Sequence, residues 1–118
     1  MRDVVINVKL SNFEKAKENT EKKHYCASKD CILAEAFGES LPGYKIHGVS
    51  SRVRAKDLEG NEVLLEPSEI NDCWLYDYFI NKFDSEQWDE ISELFKNTRD
   101  SIEMTFTEYT LPEWSLVS

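Results

Sequence analysis

The fold is decided by residues 44–65, which read YKIHGVSSRVRAKDLEGNEVLL. Residues 44–49 and 52–56 have the pattern of strands, and they are separated by a glycine and two serines. Residues 57–61 contain a glycine and have the composition of a hairpin loop, after which residues 62–65 are expected to return as a strand. This stretch therefore predicts strands that pair mostly antiparallel.

Two further strands are expected towards the ends of the chain. Residues 3–10 alternate between apolar and polar positions, and residues 102–107 do the same. The first strand is expected to stop at Ser11, where Ser11 and Glu14 have the spacing of a capping box for a short helix. The polar stretch from there to position 24 is expected to be an exposed helix or loop.

Two apolar helices are predicted between these strands. The first has Ser28 as its N-cap, runs to Phe37 and ends at Gly38 as the C′ residue. The second begins after Ser68 as its N-cap and continues to Phe83. Apolar residues cover nearly its whole circumference, so it is either enclosed or presents a spare face to another chain. The sequence leaves a monomer and a homodimer equally open.

A third helix is expected to open with a capping box formed by Asp84 and Gln87. Its apolar face is expected to cover part of the preceding helix and consists of Trp88, Ile91, Leu94 and Phe95. The order is then strand, helix, two strands, two helices, strand. This order makes residues 1–118 a single α+β domain, with a small, mostly antiparallel sheet packed against helices. The tail from Tyr109 onwards keeps several apolar residues and is expected to pack on the domain.

The composition excludes several classes of protein. A chain of 118 residues has room for one core, and an apolar content of 41% argues against disorder. A formal net charge of −9 argues against direct DNA binding, because neutralising phosphates needs a basic surface. Membrane association is not expected, since no apolar run approaches the length of a membrane span. An odd number of cysteines without a signal-peptide pattern favours the reducing cytoplasm.

The cysteines and histidines form a weak case for metal binding or catalysis. His24, Cys26 and Cys31 lie close together, but their spacing fits zinc patterns only loosely and no second ligand pair follows. Cys31, at a helix start, is either a thiol of lowered pKa or a small buried hydrophobe. We find no orienting residue for a nucleophile and no glycine-rich phosphate loop in the sequence. We therefore expect no metal, no cofactor, no catalytic residue and no enzymatic activity.

The charges are divided unevenly along the chain. Residues 1–56 contain 11 basic and 7 acidic residues, whereas residues 57–118 contain 3 basic and 16 acidic ones. The two halves therefore carry net charges of +4 and −13. This asymmetry fits either association with an oppositely charged partner or a charge that serves solubility.

Four acidic residues of the third helix form what we call the acidic stripe: Glu86, Asp89, Glu90 and Glu93. They lie at i, i+3, i+4 and i+7, so they share one helix face, where like charges are destabilising. No lysine follows within the helix until Lys96. A solvated face usually mixes the two signs, so the stripe favours binding to a basic protein surface over the alternative of a plain solvent face.

A basic cluster lies on the predicted strands and consists of Lys45, His47, Arg52, Arg54 and Lys56. Residues two apart on a strand share a face, so Arg52, Arg54 and Lys56 are expected to project together. One interpretation is an ordinary wet face of an antiparallel sheet. The other is an anion-binding site for a small nucleotide or an acidic partner, with Tyr44 available for stacking.

Several short motifs occur in a recognisable order: Ile6-Asn7-Val8, Cys26 to Ala36, Leu65 to Ile70, Trp74-Leu75, Phe83-Asp84 and Met104-Thr105-Phe106. In this order the chain resembles a group of small, uncharacterised proteins of tailed phages and prophages. Those proteins open with an Ile-x-Val strand and carry a cysteine pair that starts a helix. Ile32 stands where that group usually has proline, and the helix after Asp84 is an addition.

The resemblance implies an accessory protein of a phage or mobile element, a class that includes inhibitors of host defence such as anti-CRISPR proteins. The leading hypothesis is a protein of the host cytoplasm that binds a host defence protein. Its acidic half would occupy a basic, nucleic-acid-binding groove. The alternative is a binding module that sequesters a small anionic nucleotide through Tyr44, Arg52, Arg54 and Lys56.

Overall fold

The computed structural model describes residues 2–21, 31–49 and 52–110, which contain five strands and four helices. Along the chain they are β1 (Arg2–Lys9), α1 (Leu10–Asn19), α2 (Ile32–Ser40), β2 (Lys45–Val49), β3 (Val53–Lys56), β4 (Glu62–Pro67), α3 (Ile70–Asp84), α4 (Trp88–Asn97) and β5 (Ser101–Thr110). The polar stretch after β1 is a regular helix, one of the two forms expected for it, and β4 corresponds to the returning strand expected over residues 62–65.

The five strands form one sheet in the order β1-β5-β4-β3-β2. Every neighbouring pair is antiparallel, which confirms the α+β class with an antiparallel sheet. The last strand, β5, lies between β1 and β4, so the end of the described chain closes the sheet onto its beginning. The helices α3 and α4 therefore connect two adjacent strands, β4 and β5.

The core lies between one face of the sheet and the helices. Cross-strand pairs such as Val4 with Phe106 and Ile6 with Met104 are buried on this face. The Phe106 ring makes edge-to-face contacts with Phe37 of α2, at 4.8 Å between centroids, and with Tyr76 of α3, at 5.9 Å. Such aromatic pairs contribute about 0.5–1.5 kcal/mol beyond the area they bury. Phe106 thus joins two helices to strand β5.

Helix α4 covers part of α3, as its apolar pattern predicted. Ile91 and Phe95 are fully buried, and the Phe95 ring lies 6.1 Å from that of Phe79. The Trp88 ring lies 6.1 Å from that of Phe83. Tyr76 is also covered within the chain. The choice between a monomer and a homodimer stays a prediction.

Tyr76 predicts a loss of stability at alkaline pH. Burial raises the pKa of its phenol, so the folded state keeps the neutral form at pH values where the unfolded chain ionises near pH 10. The neutral Tyr76 side chain therefore contributes fully to the free energy of unfolding below about pH 10, and this contribution is lost as the pH rises further. When the pH rises from 9 to 11, the free energy of unfolding should fall in both proteins. We expect the fall to be about 1 kcal/mol smaller for Tyr76→Phe than for the unmodified chain. Denaturant titrations at both pH values measure this difference, and equal losses in the two proteins would contradict it.

Side chains close the free edge of β1. The Ser40 hydroxyl of α2 accepts a hydrogen bond from the Asn7 amide at 3.0 Å, and the Asn12 side chain accepts one from the Lys9 amide at 2.8 Å. An unprotected edge strand invites pairing with another chain. These contacts occupy the amides of Asn7 and Lys9, so an added strand cannot pair with the C-terminal half of β1.

Three helix boundaries differ from those expected. Helix α1 begins at Leu10 and not after Ser11. Lys9 is its N-cap residue, and the Asn12 side chain accepts a hydrogen bond from the Lys9 amide. Helix α2 begins after Cys31 and continues through Gly38 to Ser40, so Gly38 does not end it. The predicted N-cap Ser28 lies outside the described residues.

The start of α3 is the third difference. Pro67 belongs to β4, and the Ser68 hydroxyl bonds to Thr107 of β5, so Ser68 is not the N-cap. Glu69 is the N-cap, and its amide donates to the Asp72 carboxylate at 3.2 Å. The same carboxylate accepts a bond from the Thr105 amide at 3.0 Å. The Asp72 side chain therefore caps the start of α3 and at the same time binds strand β5.

Two turns of the chain contain a glycine with a positive φ, and the one at residues 57–61 was predicted. Gly43 has φ of 88° where the Tyr44 amide donates to the Leu41 carbonyl. Gly60 has φ of 85° in the loop that joins β3 to β4. Both conformations favour glycine over residues with a Cβ. The apolar tail residues after position 110 lie outside the described residues.

Candidate functional site

The acidic stripe lies at the outer surface of α4 and of the loop that precedes it. All four carboxylates are exposed. Asp89 and Glu90 occupy the first turn of α4, where the peptide dipoles at a helix N-terminus stabilise negative charge. Glu93 follows one turn later, whereas Glu86 lies outside the helix. Three members of the stripe therefore project from the helix and the fourth from the adjacent loop.

The expected capping box of Asp84 and Gln87 is wrong. Asp84 is the last residue of α3, and Gln87 caps α4 without a side-chain hydrogen bond. Between them Glu86 has φ of 58°, its amide donates to the Phe83 carbonyl, and the Gln87 amide donates to the Lys82 carbonyl. This pair of bonds is a Schellman motif, in which the left-handed position is usually glycine.

Replacing Glu86 with glycine should stabilise the protein. A residue with a Cβ pays roughly 1 kcal/mol or more in the left-handed region, a cost that glycine avoids. We expect Glu86→Gly to raise the free energy of unfolding by about 0.5–1 kcal/mol. Glu86→Ala is the matched control, because it removes the same charge and keeps the strain. Equal stability of the two variants in urea titrations would contradict this explanation.

One member of the stripe has a basic neighbour on the adjacent helix. Lys82 Nζ of α3 lies 2.7 Å from Glu90 Oε2 and 2.8 Å from Gln87 Oε1. Residue spacing within one helix could not indicate this lysine, because only the packing of α3 against α4 brings it near Glu90. Glu86, Asp89 and Glu93 form no ion pair with any residue that the structure describes. Within the described part of the chain, three carboxylates of the stripe thus have no ion-pair partner.

A groove runs along the stripe between α3 and α4. It has a volume of about 370 Å³ and is lined by Tyr78, Lys82, Glu90, Glu93, Leu94 and Asn97. The Tyr78 hydroxyl donates to the Glu90 carbonyl at 3.2 Å, which ties the two helices together. Burial raises the pKa of the Tyr78 phenol. The carboxylates of Glu90 and Glu93 therefore border a concave surface.

The outward side of α3 carries apolar residues that we call the α3 stripe: Ile70, Trp74 and Tyr78. Ile70 is 84% exposed and Trp74 is 59% exposed. The Trp74 and Tyr78 rings stack with centroids 5.1 Å apart. The sequence predicted a helix with more apolar residues than one buried face can hold. It did not show which of them remain outside, because that depends on where α4 and the sheet pack.

The structure separates the basic cluster into Arg54 and Lys56, which lie together on β3, and Arg52, which binds an acidic residue of β4. Arg54 lies opposite Leu64, and Lys56 lies opposite Glu62, on the sheet face turned away from the helices. Arg52 Nε forms an ion pair with Glu66 Oε1 at 3.0 Å. Arg54 and Lys56 therefore share one face, as predicted, while Arg52 already has an acidic partner.

A pocket of about 250 Å³ lies at this part of the sheet and is lined by His47, Arg54, Ala55, Lys56, Glu62 and Val63. In β2, Ile46 pairs with Ala55 and Gly48 pairs with Arg54, which leaves His47 as the extra residue of a bulge. Bulges redirect a side chain out of the regular alternation. The bulge places His47 at the pocket beside Arg54 and Lys56.

The structure places Tyr44 at a different pocket. The Tyr44 hydroxyl accepts a bond from Arg2 and donates one to Glu108, and Arg2 Nε lies 2.8 Å from the same carboxylate. Glu108 is only 5% exposed. Burial, followed by the Glu108 contact, raises the pKa of Tyr44. This arrangement ties β1 and β5 to the start of β2, and sequence reasoning missed it because its members lie far apart in the chain.

The cysteine and histidine positions add no metal site within the described ranges. His24 and Cys26 lie outside those ranges. Cys31 is buried, and burial raises the pKa of its thiol, the opposite of what a reactive cysteine needs. The residues that the structure describes contain no group of three or more metal-ligating side chains.

Comparison of the chain with protein-family models, with curated proteins and with solved structures gives no match. Within residues 2–21, 31–49 and 52–110, no helix combines the length and apolar character needed to cross a bilayer.

Proposed function

We propose that this protein binds a basic protein partner through the acidic stripe and acts as a non-enzymatic inhibitor of that partner. The observation that carries the proposal is the set of exposed carboxylates of Glu86, Asp89 and Glu93, which form no ion pair with the described residues; Glu93 also lines the groove between α3 and α4. Like charges this close repel one another, and a cationic partner relieves that repulsion. Complementary charge also accelerates association, in a manner that salt suppresses.

The partner class we propose is a nucleic-acid-binding protein of a host defence system. Asp89 and Glu93 are one helical turn apart, roughly 6 Å along the axis. A groove built to bind phosphates carries closely spaced basic side chains and can accept such a row of carboxylates. The resemblance to small tailed-phage proteins supports this setting, with the host cytoplasm as the place of action.

The experiment that tests this proposal is capture of partners from host lysate on the immobilised protein, followed by mass spectrometry. We expect retention at low salt of a basic, nucleic-acid-binding protein, and its release as the salt rises towards 0.5 M, roughly where ionic screening shortens to a few ångströms. Duplex DNA should compete with the immobilised protein for the captured one, because both would occupy the same basic groove. Retention that neither salt nor DNA changes would contradict the proposal.

A second candidate function is the sequestering of a small anionic nucleotide on the sheet. It is favoured by the pocket of about 250 Å³ in which His47, Arg54 and Lys56 converge. Neither Arg54 nor Lys56 forms an ion pair with the described residues, so both cations are available to an anion.

Calorimetry with cyclic and linear nucleotides tests this second candidate. A charge-assisted hydrogen bond contributes about 1.5–3 kcal/mol, so removing either Arg54 or Lys56 should weaken binding by about 10-fold or more. Arg52→Ala should matter less, because Glu66 already binds Arg52. Lys96→Ala, an exposed cation on α4, is the control. An unchanged affinity of the Arg54→Ala/Lys56→Ala variant would exclude this pocket as the site.

A further inference from the structure

The α3 stripe contains Ile70 and Trp74, two of the four large apolar side chains that are exposed among the described residues, together with the half-buried Tyr78. Ile70, Trp74 and Tyr78 lie at i, i+4 and i+8, so they follow one line along the helix. This line runs on the side opposite the buried Tyr76 and Phe83. Trp and Tyr side chains are among the residues that most often carry binding energy at protein interfaces.

The α3 stripe is continuous with the groove beside the acidic stripe. Trp74 stacks on Tyr78, and Tyr78 forms one wall of the groove and bonds to the Glu90 backbone. Glu90 and Glu93 lie on the other wall. The α3 stripe and the residues Glu90 and Glu93 therefore lie on the same side of the α3–α4 pair.

We propose that the α3 stripe and this groove bind the apolar face of a basic amphipathic helix of the partner, whose cationic residues meet the acidic stripe. This inference rests on the proposed function and specifies the structure of the segment that is recognised. A groove between two packed helices accepts a third helix, which inserts apolar residues at helical spacing. A strand is disfavoured at the β1 edge, where Ser40 and Asn12 occupy backbone groups of Asn7 and Lys9.

Charge complementarity selects a basic partner over a second copy of this chain. The rim of the α3 stripe carries the exposed carboxylates of Asp77 and Glu93, whereas Glu90 there is already paired with Lys82. Self-association through this surface would bring two acidic rims together, and juxtaposed like charges cost several kcal/mol at an interface. A cationic helix instead gains from the same charges.

The test uses a synthetic amphipathic peptide of leucine and lysine, and a matched peptide in which glutamate replaces lysine. We expect the lysine peptide to bind with micromolar affinity in calorimetry and to shift the NMR signal of the Trp74 indole N–H. The glutamate peptide should bind at least 10-fold more weakly. Trp74→Ala should weaken the lysine peptide about 30-fold, as expected for an aromatic hot spot. Leu58→Ala, which removes an apolar side chain 71% exposed on the β3–β4 hairpin, should change nothing.

The outcomes separate this inference from the proposed function. If reversing the acidic stripe weakens binding of the captured host protein but Trp74→Ala does not, the inference is wrong and the function stands. If Trp74→Ala weakens that binding and the stripe reversal does not, the charge-based function is wrong. Equal binding of the two peptides, or none by either, overturns the inference. Dimerisation of the free protein that Trp74→Ala abolishes would identify a second copy as the occupant and overturn it as well.

Discussion

We expect Asp72→Ala to lower the free energy of unfolding by about 2–4 kcal/mol. Asp72 is 9% exposed and accepts hydrogen bonds from the amides of Glu69 and Thr105. Removing the carboxylate deletes a helix cap, which costs about 1 kcal/mol. It also leaves the Thr105 amide without its acceptor, which costs about 1–3 kcal/mol. Urea titration at neutral pH measures the sum of these effects.

Two further variants make the Asp72 prediction specific. Asp77→Ala removes an exposed carboxylate from the same helix and should change stability by less than about 0.5 kcal/mol. Asp72→Asn keeps one oxygen acceptor and should fall between the unmodified chain and Asp72→Ala. If Asp72→Ala and Asp77→Ala lower the free energy of unfolding equally, the hydrogen bonds of Asp72 to the Glu69 and Thr105 amides do not stabilise the protein.

Reversing the acidic stripe should weaken binding of the basic partner by about 100-fold or more. Replacing Glu86, Asp89, Glu90 and Glu93 with lysine turns attraction at the interface into repulsion, mostly through slower association. The fold should survive, because all four side chains are exposed. Lysine in the first turn of α4 opposes the helix dipole and costs about 0.3–1 kcal/mol per residue. Surface plasmon resonance at two salt concentrations measures the rates.

A second set of lysine substitutions controls for net charge. Glu14, Glu18, Glu59 and Glu103 are exposed on other elements, and their replacement gives a protein of the same net charge. This control should bind the partner within a few-fold of the unmodified protein. If both variants lose affinity equally, binding responds to total charge and the acidic stripe has no special place in it.

The sequence predicted the strands and turns because their signals are local. The alternation of residues 102–107 and the glycine at position 60 are sufficient to place β5 and the β3–β4 hairpin. Helix starts were harder to predict, since the structure caps them through contacts distant in sequence. Asp72 was not identified as a cap because its second donor, Thr105, lies 33 residues away.

The candidate site was predictable in the same uneven way. Helical spacing brought Asp89, Glu90 and Glu93 together, and strand spacing did so for Arg54 and Lys56. The pairing of Lys82 with Glu90 arises from helix packing, and so does the exposure of Trp74, so neither could be obtained from periodicity. Glu86 was placed on the helix because its left-handed backbone has no signature in a sequence that lacks glycine there.

A hydrogen-exchange footprint of the protein in complex with its proposed basic partner tests directly whether that partner binds the acidic stripe. Opening of α4 should be suppressed by the bound partner, because the partner contacts the acidic stripe on its surface. We predict increased protection of amides in residues 88–97 and in the second half of α3, with no change in β2 and β3. Protection confined to β2, β3 and β4, with α4 exchanging as in the free protein, would contradict the account.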